Sequence, residues 1–434
     1  MAESRRVAVV GLGLVTPIGR GFSGFREALM AGKPGGGPIT LFDASKLRCR
    51  VAAEVEAFDP KTEIEAALAE RLTRFDRRTG FAVAATNEAL ADAGPLRDVD
   101  PERIAITLGT ALTYPTLSDL ATSMHPFVDP SGDFDGDGFG RRVAEHGVPF
   151  ADRFLYDEVP RWIAERTGAQ GGFAIDFAAC AASAQAIGEA FRKIRRGTHD
   201  VCITGGFESV INPWAVSAFI RLGALTQHNR DPQGSSRPFD RKRNGFLMGE
   251  GAAVVVLEEW QRAKASGRRI YGEVLGYGTS LDAAKVTAPH PEGRGAVLCM
   301  QRAQRDAGVA PNDIEYINAH GTGTKLNDAA ESAAIHEVFE AHAKRIAVSS
   351  SKSMFGHLLG AAGAIELAAC MAAFDTGRLP PTINLDDPDP ACDLDHVANV
   401  ARVAEVSVAM SNSFAFGGQN ASLVLGHPAR DHQP

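Results

Sequence analysis

The feature that most constrains this chain is the alternation of short apolar runs with alanine- and glycine-rich segments of helical period. Apolar residues recur at helical spacing over 81–93, 182–196, 297–307 and 361–374. Between them, runs at 104–107, 201–204, 253–257, 314–318 and 347–349 read as short buried strands. Such alternation predicts a layered α/β fold. The composition is 44% hydrophobic but only 7% aromatic, with 45 glycines, so the layers must approach one another on small residues. At 434 residues the chain is long enough for a large body in two parts.

The N-terminal run Val7-Ala8-Val9-Val10 reads as a first strand, and Gly11-Leu12-Gly13 follows it. That invites a dinucleotide-binding reading, but Thr16 occupies the third glycine position and Pro17 follows. A buried strand ending in a tight turn is the favoured expectation. An internal echo is more informative. The stretch from Cys180 through Gly188 to Gly197 resembles the stretch from His357 through Gly363 to Gly377, each an Ala/Gly-rich helix ending near a glycine. Two related halves are expected, 1–265 carrying the cysteine and 266–434 carrying two histidines, joined around 258–270 where Glu258 to Lys264 could form a helix. The Asp/Gly-rich segment 131–140 reads as an exposed loop.

A net charge of -8 argues against nucleic-acid binding, which shows as a basic domain or a dense basic stripe. The six cysteines include no Cys-x-x-Cys, which disfavours a disulfide framework or a zinc site and predicts a reducing, cytoplasmic setting. No signal-peptide pattern opens the chain, and no apolar run is expected to reach the ~20 residues of a membrane span.

Three polar residues framed by small ones are candidates for chemistry: Cys180, His320 in His320-Gly321-Thr322-Gly323-Thr324, and His357 in Phe355-Gly356-His357-Leu358. A thiolate can take an acyl group, and two imidazoles can hydrogen-bond a developing enolate oxygen. Cys180 opens a helix whose last turn carries Arg192, Lys193, Arg195 and Arg196, so the helix N-terminus is expected to lower the thiol pKa. Against this stands a plain buried cysteine; His199, His336, His342 and His396 read as structural histidines. Lys352 and Glu331 could pair beside the histidines, or be surface charges. The turn at 411–420 could aim a backbone N–H at an oxyanion, or be a plain hairpin.

Further motifs accompany these residues: Arg237-Pro238-Phe239-Asp240, Lys352-Ser353-Met354-Phe355-Gly356-His357-Leu358-Leu359-Gly360 and Asn412-Ser413-Phe414-Ala415-Phe416-Gly417-Gly418. In order and spacing the set resembles the β-ketoacyl-acyl-carrier-protein synthases of the elongating I/II type. The resemblance implies the thiolase fold, five layers αβαβα in two similar halves. It implies Cys180 as nucleophile, His320 and His357 for malonyl decarboxylation and enolate stabilisation, and Lys352 and Glu331 for electrostatic support. Cys180 and Phe416 would donate oxyanion-hole N–H groups. Phe414, Phe416 and Leu112 would gate an acyl pocket, and Thr287, Thr322 and Thr324 would contact a phosphopantetheine arm. Asn318, Glu366, Ser411 and Asn412 match a structural monovalent-cation site. No organic cofactor is implied, since substrates arrive on the phosphopantetheine of an acyl carrier protein.

The implied partners are that carrier, met by Arg71, Arg74, Arg77 and Arg78, and a second identical or related subunit. The sequence departs from the family at Ala178, Ala415 and Gln419, where threonine, glycine and threonine are usual, and over 111–160. These departures favour a specialised polyketide, polyene or unusual-lipid pathway as the alternative to fatty acid elongation. A chain-length-setting partner subunit is a further alternative, disfavoured because Cys180 is retained.

Overall fold

The protein is described here by a computed structural model covering residues 5–59, 77–111, 117–147 and 157–430. Its main strands are β1 (Val7–Thr16), β2 (Ile104–Gly109), β3 (Phe173–Asp176), β4 (Val201–Glu208), β5 (Gly251–Glu259), β6 (Gly272–Leu281), β7 (Tyr316–Asn318), β8 (Ala347–Ser349), β9 (Asp395–His396), β10 (Val408–Phe414) and β11 (Gln419–Gly426). Five helices matter to the site: α1 (Arg77–Ala93), α2 (Ala182–Arg195), α3 (Arg294–Ala307), α4 (Lys325–Phe339) and α5 (Ala362–Thr376).

The strand order is β9-β8-β7-β10-β11-β6-β1-β5-β4-β2-β3. Apart from the terminal β9, it reads the same outward from the β6–β1 junction in either direction. β1 and β5 are antiparallel, as are β5 and β4, and then β4, β2 and β3 run parallel. On the other side β6, β11 and β10 are antiparallel, and β10, β7 and β8 run parallel. The two five-strand patterns join only where Val7 to Val9 of β1 meet Gly272 to Val274 of β6. Helices α2 and α5 lie between them, α2 touching β2 and β4 on one side and β6 and β11 on the other; α1 covers one outer face and α3 the other. This is the expected αβαβα layering of the thiolase fold.

Small residues make the layering possible. A Cβ on Gly13 would sit 1.9 Å from the Ala85 carbonyl of α1, and one on Gly11 would sit 2.5 Å from the Ala89 carbonyl. The buried first strand ends in a tight turn as expected, but at Pro17 and Ile18 rather than after Val10. It continues to Thr16 through a register shift between Val9 and Gly11, and its glycines serve close helix packing rather than a phosphate.

Three other expectations change. The Asp/Gly-rich segment is only half loop, because Asp135 caps a helix, Gly136–His146, by accepting from the Gly138 N–H at 2.9 Å. The helix at the junction is Trp260–Ala265, with Glu258 and Glu259 completing β5. Residues 359–376 form a segment long and apolar enough to cross a membrane, yet 89% of it is buried, as the 3-10 turn and α5 helix of the core.

The internal echo is real but shifted in register. Cys180 lies in a 3-10 turn, Ala179–Ala181, ahead of α2. The matching turn ahead of α5 is Leu359–Ala361, and both begin at a residue of positive φ, Ala179 at 47° and Leu359 at 43°. The residue equivalent to Cys180 is thus Gly360, not His357. A Cβ on Gly188 of α2 would fall 2.4 Å from the Tyr277 ring of β6. Gly188→Ala is expected to lower stability by about 1–3 kcal/mol through overpacking, read as a shift in the urea midpoint at constant slope.

Candidate active site

The nucleophile candidate is delivered by the turn that opens a central helix, and His320 by the end of a central strand. Ala179, held at positive φ, turns the chain sharply so that Cys180 faces a cavity instead of entering the helix stack. Ala178 and its neighbours follow β3, and the Ala178 N–H is fixed by the Asp176 carboxylate at 2.8 Å. His320 follows β7. Its own N–H and that of Gly321 donate to the two oxygens of Glu331 at 2.9 and 2.8 Å, so one buried carboxylate on α4 clamps the loop. Asp328, also on α4, accepts from Gly323 at 3.1 Å and Phe239 at 2.9 Å. His357 is fixed by its backbone, which donates to the Leu247 carbonyl at 2.7 Å and accepts from Gly249 at 2.9 Å.

These elements bring the three candidates together. His357 Nε2 lies 3.0 Å from Cys180 Sγ. The two imidazoles stand edge to face with centroids 5.3 Å apart, and Phe414 lies 5.9 Å from His320. All three polar residues line a cavity of about 460 Å³ together with Thr287, Thr322, Thr324, Phe414 and Phe416. Phe246 packs edge-on against His357 at 5.1 Å, and Phe219 stacks on Phe416 at 6.3 Å. Neither phenylalanine was legible as a site residue in the sequence.

The partners of the ring nitrogens assign the tautomers. The Leu359 N–H donates to His357 Nδ1 at 3.3 Å, and the Lys352 ammonium lies 3.3 Å from His320 Nδ1. Each Nδ1 is therefore an acceptor, and in a neutral ring the proton sits on Nε2. Burial, reinforced by the Lys352 charge, holds both histidines well below the usual histidine range, so both are neutral at pH 7. The site thus holds two neutral N–H donors, one of them against the sulfur.

The thiol differs from the expectation. Burial pushes Cys180 up to about 12, while the Lys352 charge and the backbone N–H groups of Phe416 and Cys180 itself pull it back. The sulfur is desolvated by the same packing that sets the elbow, and this outweighs the favourable helix terminus. The two N–H groups aimed at the sulfur are those anticipated for an oxyanion hole.

Lys352 and Glu331 do not form the expected pair. The Lys352 ammonium bonds to Glu366 of α5, to the His320 carbonyl at 2.7 Å and to His320 Nδ1, whereas Glu331 serves the His320 loop and the Asn412 amide at 3.3 Å. Burial raises each carboxyl group to about 7. The signal for Glu366 was its isolation as the one acid among the apolar residues of 362–374. That pairing also bears on the implied cation site. Asn318 donates to Tyr316 and Ser351 at 3.2 and 3.3 Å, and Asn412 Oδ1 accepts from Ser422 at 2.8 Å. Ser411 sits opposite Asn318 in the β7–β10 register. Only Glu366 Oε2 is left unpartnered in the carboxylate, and an ammonium already neutralises it. Among the described residues no cluster of three or more His, Cys, Asp or Glu side chains is placed to hold a metal ion.

Two of the anticipated docking arginines have other work. Arg77 binds Glu250 at 3.0 Å and lies over Phe81, and Arg78 is buried against Thr110 and Glu208. Arg71, Arg74 and Leu112 lie outside the described residues. Ala415 is in ordinary extended backbone at φ −117°, so it is unstrained here; the left-handed positions of this loop are Gly417 and Gly418. His199, His336, His342 and His396 each bond a backbone carbonyl and stand away from the cavity.

With this geometry in place, residues 4–263 match the family described as Beta-ketoacyl synthase, N-terminal domain, and residues 271–386 match its C-terminal domain. This chain belongs to the beta-ketoacyl synthase family. Among its relatives, 3-oxoacyl-[acyl-carrier-protein] synthase 2 of Synechocystis sp. is 41% identical, with 98% of each chain covered. Oxytetracycline polyketide putative beta-ketoacyl synthase 1 of Streptomyces rimosus is 39% identical over 99% of this chain and 98% of that one. Among solved structures, the ishigamide ketosynthase/chain length factor superposes with a TM-score of 0.83 at 36% identity, covering 98% of this chain and 99% of that one.

Because burial disfavours the Cys180 thiolate, alkylation of this beta-ketoacyl synthase by iodoacetamide at Cys180 is expected to be slow at pH 7. Its rate should climb steadily as pH rises toward about 12. Lys352→Met, which removes the stabilising charge, should slow alkylation further at every pH. The measurement is the rate of adduct formation by intact mass.

Proposed function

We propose that the protein performs decarboxylative Claisen condensation, joining an acyl group held on Cys180 to a malonyl unit delivered by an acyl carrier protein. As a beta-ketoacyl synthase it is an acyltransferase, and the single observation that carries the residue assignment is Cys180 Sγ 3.0 Å from His357 Nε2, with His320 beside it. In the first half-reaction the Cys180 sulfur attacks the acyl thioester, its proton passes to the departing pantetheine sulfur, and the transient oxyanion is held by the Cys180 and Phe416 N–H groups. In the second, malonyl thioester loses carbon dioxide and the released electron pair forms an enolate. The Nε2–H groups of His320 and His357 donate to its oxygen. The enolate carbon then attacks the acyl carbonyl, the Cys180 sulfur leaves as a thiolate, and a proton taken up from solvent restores the thiol. Neutral donors suit this chemistry because they stabilise the oxygen without protonating the carbon nucleophile.

Thr322 and Thr324, whose hydroxyls lie 3.0 Å apart, and Thr287, all lining the cavity, are assigned to the phosphopantetheine arm. Phe414 and Phe416 are assigned to the gate. No organic cofactor is needed, since loss of carbon dioxide drives the bond formation, and a cytoplasmic setting suits the six free cysteines. The halves are assigned as 1–265 and 266–434, in keeping with family matches that end at 263 and resume at 271. A second subunit, identical or related, is assigned to the outer strand β3, whose Phe173 and the following Phe177 are 53% and 49% exposed.

A specialised pathway is the second reading, favoured by Ala178, Ala415 and Gln419 and by the likeness to the ishigamide ketosynthase/chain length factor. Cys180→Ala is expected to abolish both the acyl adduct and condensation, measured by intact mass and product formation with acyl and malonyl carriers; undiminished condensation would overturn the mechanism. The same assay over saturated and unsaturated chains separates the pathways, because a strong preference for ordinary saturated chains excludes the specialised one.

A further inference from the structure

Arg77 and Arg78 open α1 beside two fully buried carboxylates, Glu208 at the end of β4 and Glu250 just before β5. Arg77 Nε meets both oxygens of Glu250, at 3.0 and 3.2 Å. Ser209 joins the two acids: its hydroxyl donates to Glu250 at 2.7 Å and its N–H to Glu208 at 3.2 Å. Arg78 is only 4% exposed; its Nη1 lies 3.9 Å from Glu208 and donates to the Thr110 hydroxyl at 3.4 Å. Buried carboxylates need compensating charge and hydrogen bonds, and this guanidinium supplies charge to Glu208. The other Glu208 oxygen accepts the Ala111 N–H at 2.7 Å, and the Thr110 N–H donates to the Asp176 carbonyl at 3.1 Å. The backbone that follows β2 is thus pinned at two successive residues. It has no slack on the side of the central helices, where a Cβ on Gly360 would lie 2.5 Å from the Ala111 nitrogen. Ala111 belongs to the apolar cluster that holds Cys180, with Val210 and Ile211 directly after Ser209, and with Ala215 and Phe219.

We infer that Arg78 is a positioning residue for acyl-chain selection: acting through Glu208, it holds Ala111 as a rigid wall that limits the length of the acyl group on Cys180. This rests on the reading that Cys180 carries the acyl group. The residues assigned to the malonyl unit are held differently. His320 is fixed by Glu331 and Lys352, and His357 by the backbone of Leu247 and Gly249. Loss of Arg78 therefore falls on the choice of acyl chain and not on decarboxylation.

The test profiles acylation of Cys180, read by intact mass, over saturated acyl carriers of increasing length, with malonyl decarboxylation measured in the same preparations. Arg78→Met replaces the guanidinium by an uncharged chain, so the Ala111 amide should exchange faster with deuterium. The preference for the best chain over longer ones should fall about 10-fold, the scale on which a fixed apolar pocket separates chains that differ by a methylene. Decarboxylation should stay within about threefold. Arg78→Lys, which keeps the charge, should recover part of the lost preference. Removing one member of a buried pair can prevent folding, whereas removing both is tolerated better. Glu208→Gln is therefore compared with the double variant that adds Arg78→Met, and their chain profiles should coincide, because Arg78 acts through Glu208. A wild-type profile in Arg78→Met, or a double variant that departs from Glu208→Gln, overturns the inference. An equal fall in both half-reactions with the profile unchanged overturns it too, by making Arg78 merely structural. Cys180→Ala is the separate control: if it still condenses, the proposed function itself fails, whereas an inactive Cys180→Ala beside unchanged chain selection in Arg78→Met removes only this inference.

Discussion

The contact between the turns ahead of α2 and α5 is the constraint from which the site follows. Both helices are sandwiched between sheets, and their first turns, Ala182 to Ala184 and Ala362 to Ala364, are buried, with no solvent-facing side on which to place bulk. They meet through alanine and glycine: Gly363 lies so close to Ala184 that a Cβ would sit 2.7 Å from the Ala184 methyl, and on the neighbouring β4 a Cβ on Gly206 would sit 2.9 Å from the Gly360 carbonyl. Close-packed interiors transmit small displacements instead of absorbing them. The residues that open these helices are therefore located by the whole core rather than by local loops, which gives Cys180 a fixed address in a buried cavity.

Such burial makes charge costly, and the molecule answers with a small number of fully engaged polar groups. Glu331 spends both oxygens on backbone N–H groups, so its carboxylate organises a loop. Lys352 spends all three protons, so its charge is felt at Cys180 and both histidines without being free to wander. Neutral imidazoles and a neutral resting thiol follow from the same dryness. A dry site with oriented dipoles stabilises a developing oxyanion more strongly than water does, because nothing must reorganise as the charge appears.

The sequence carried much of this. The helical and strand runs at 81–93, 104–107, 201–204 and 347–349 correspond to real elements because alanine-rich periodicity and short β-branched runs are local signals. The identities of Cys180, His320, His357 and Lys352 were legible because each sits among glycines and small residues that have no reason to recur unless the backbone must pass close to something. What depended on three-dimensional pairing was not legible. The Lys352 partner lies on another helix, and spacing alone pointed to Glu331. The Arg77 and Arg78 side chains look like exposed charges until Glu250 and Glu208 are seen beneath them. The thiol was misjudged because helix direction can be read along a chain, whereas desolvation cannot.

The matched turns at Cys180 and Gly360 also limit how alike the two halves can be. A side chain at the second position is barred, because a Cβ on Gly360 would lie 2.5 Å from the Ala111 nitrogen. A protein made of two identical copies of the first half would therefore fail to close its own core. The repeat is workable only when it is broken at its centre, and the space denied to a second thiol is what allows the backbone of one half to support the nucleophile of the other.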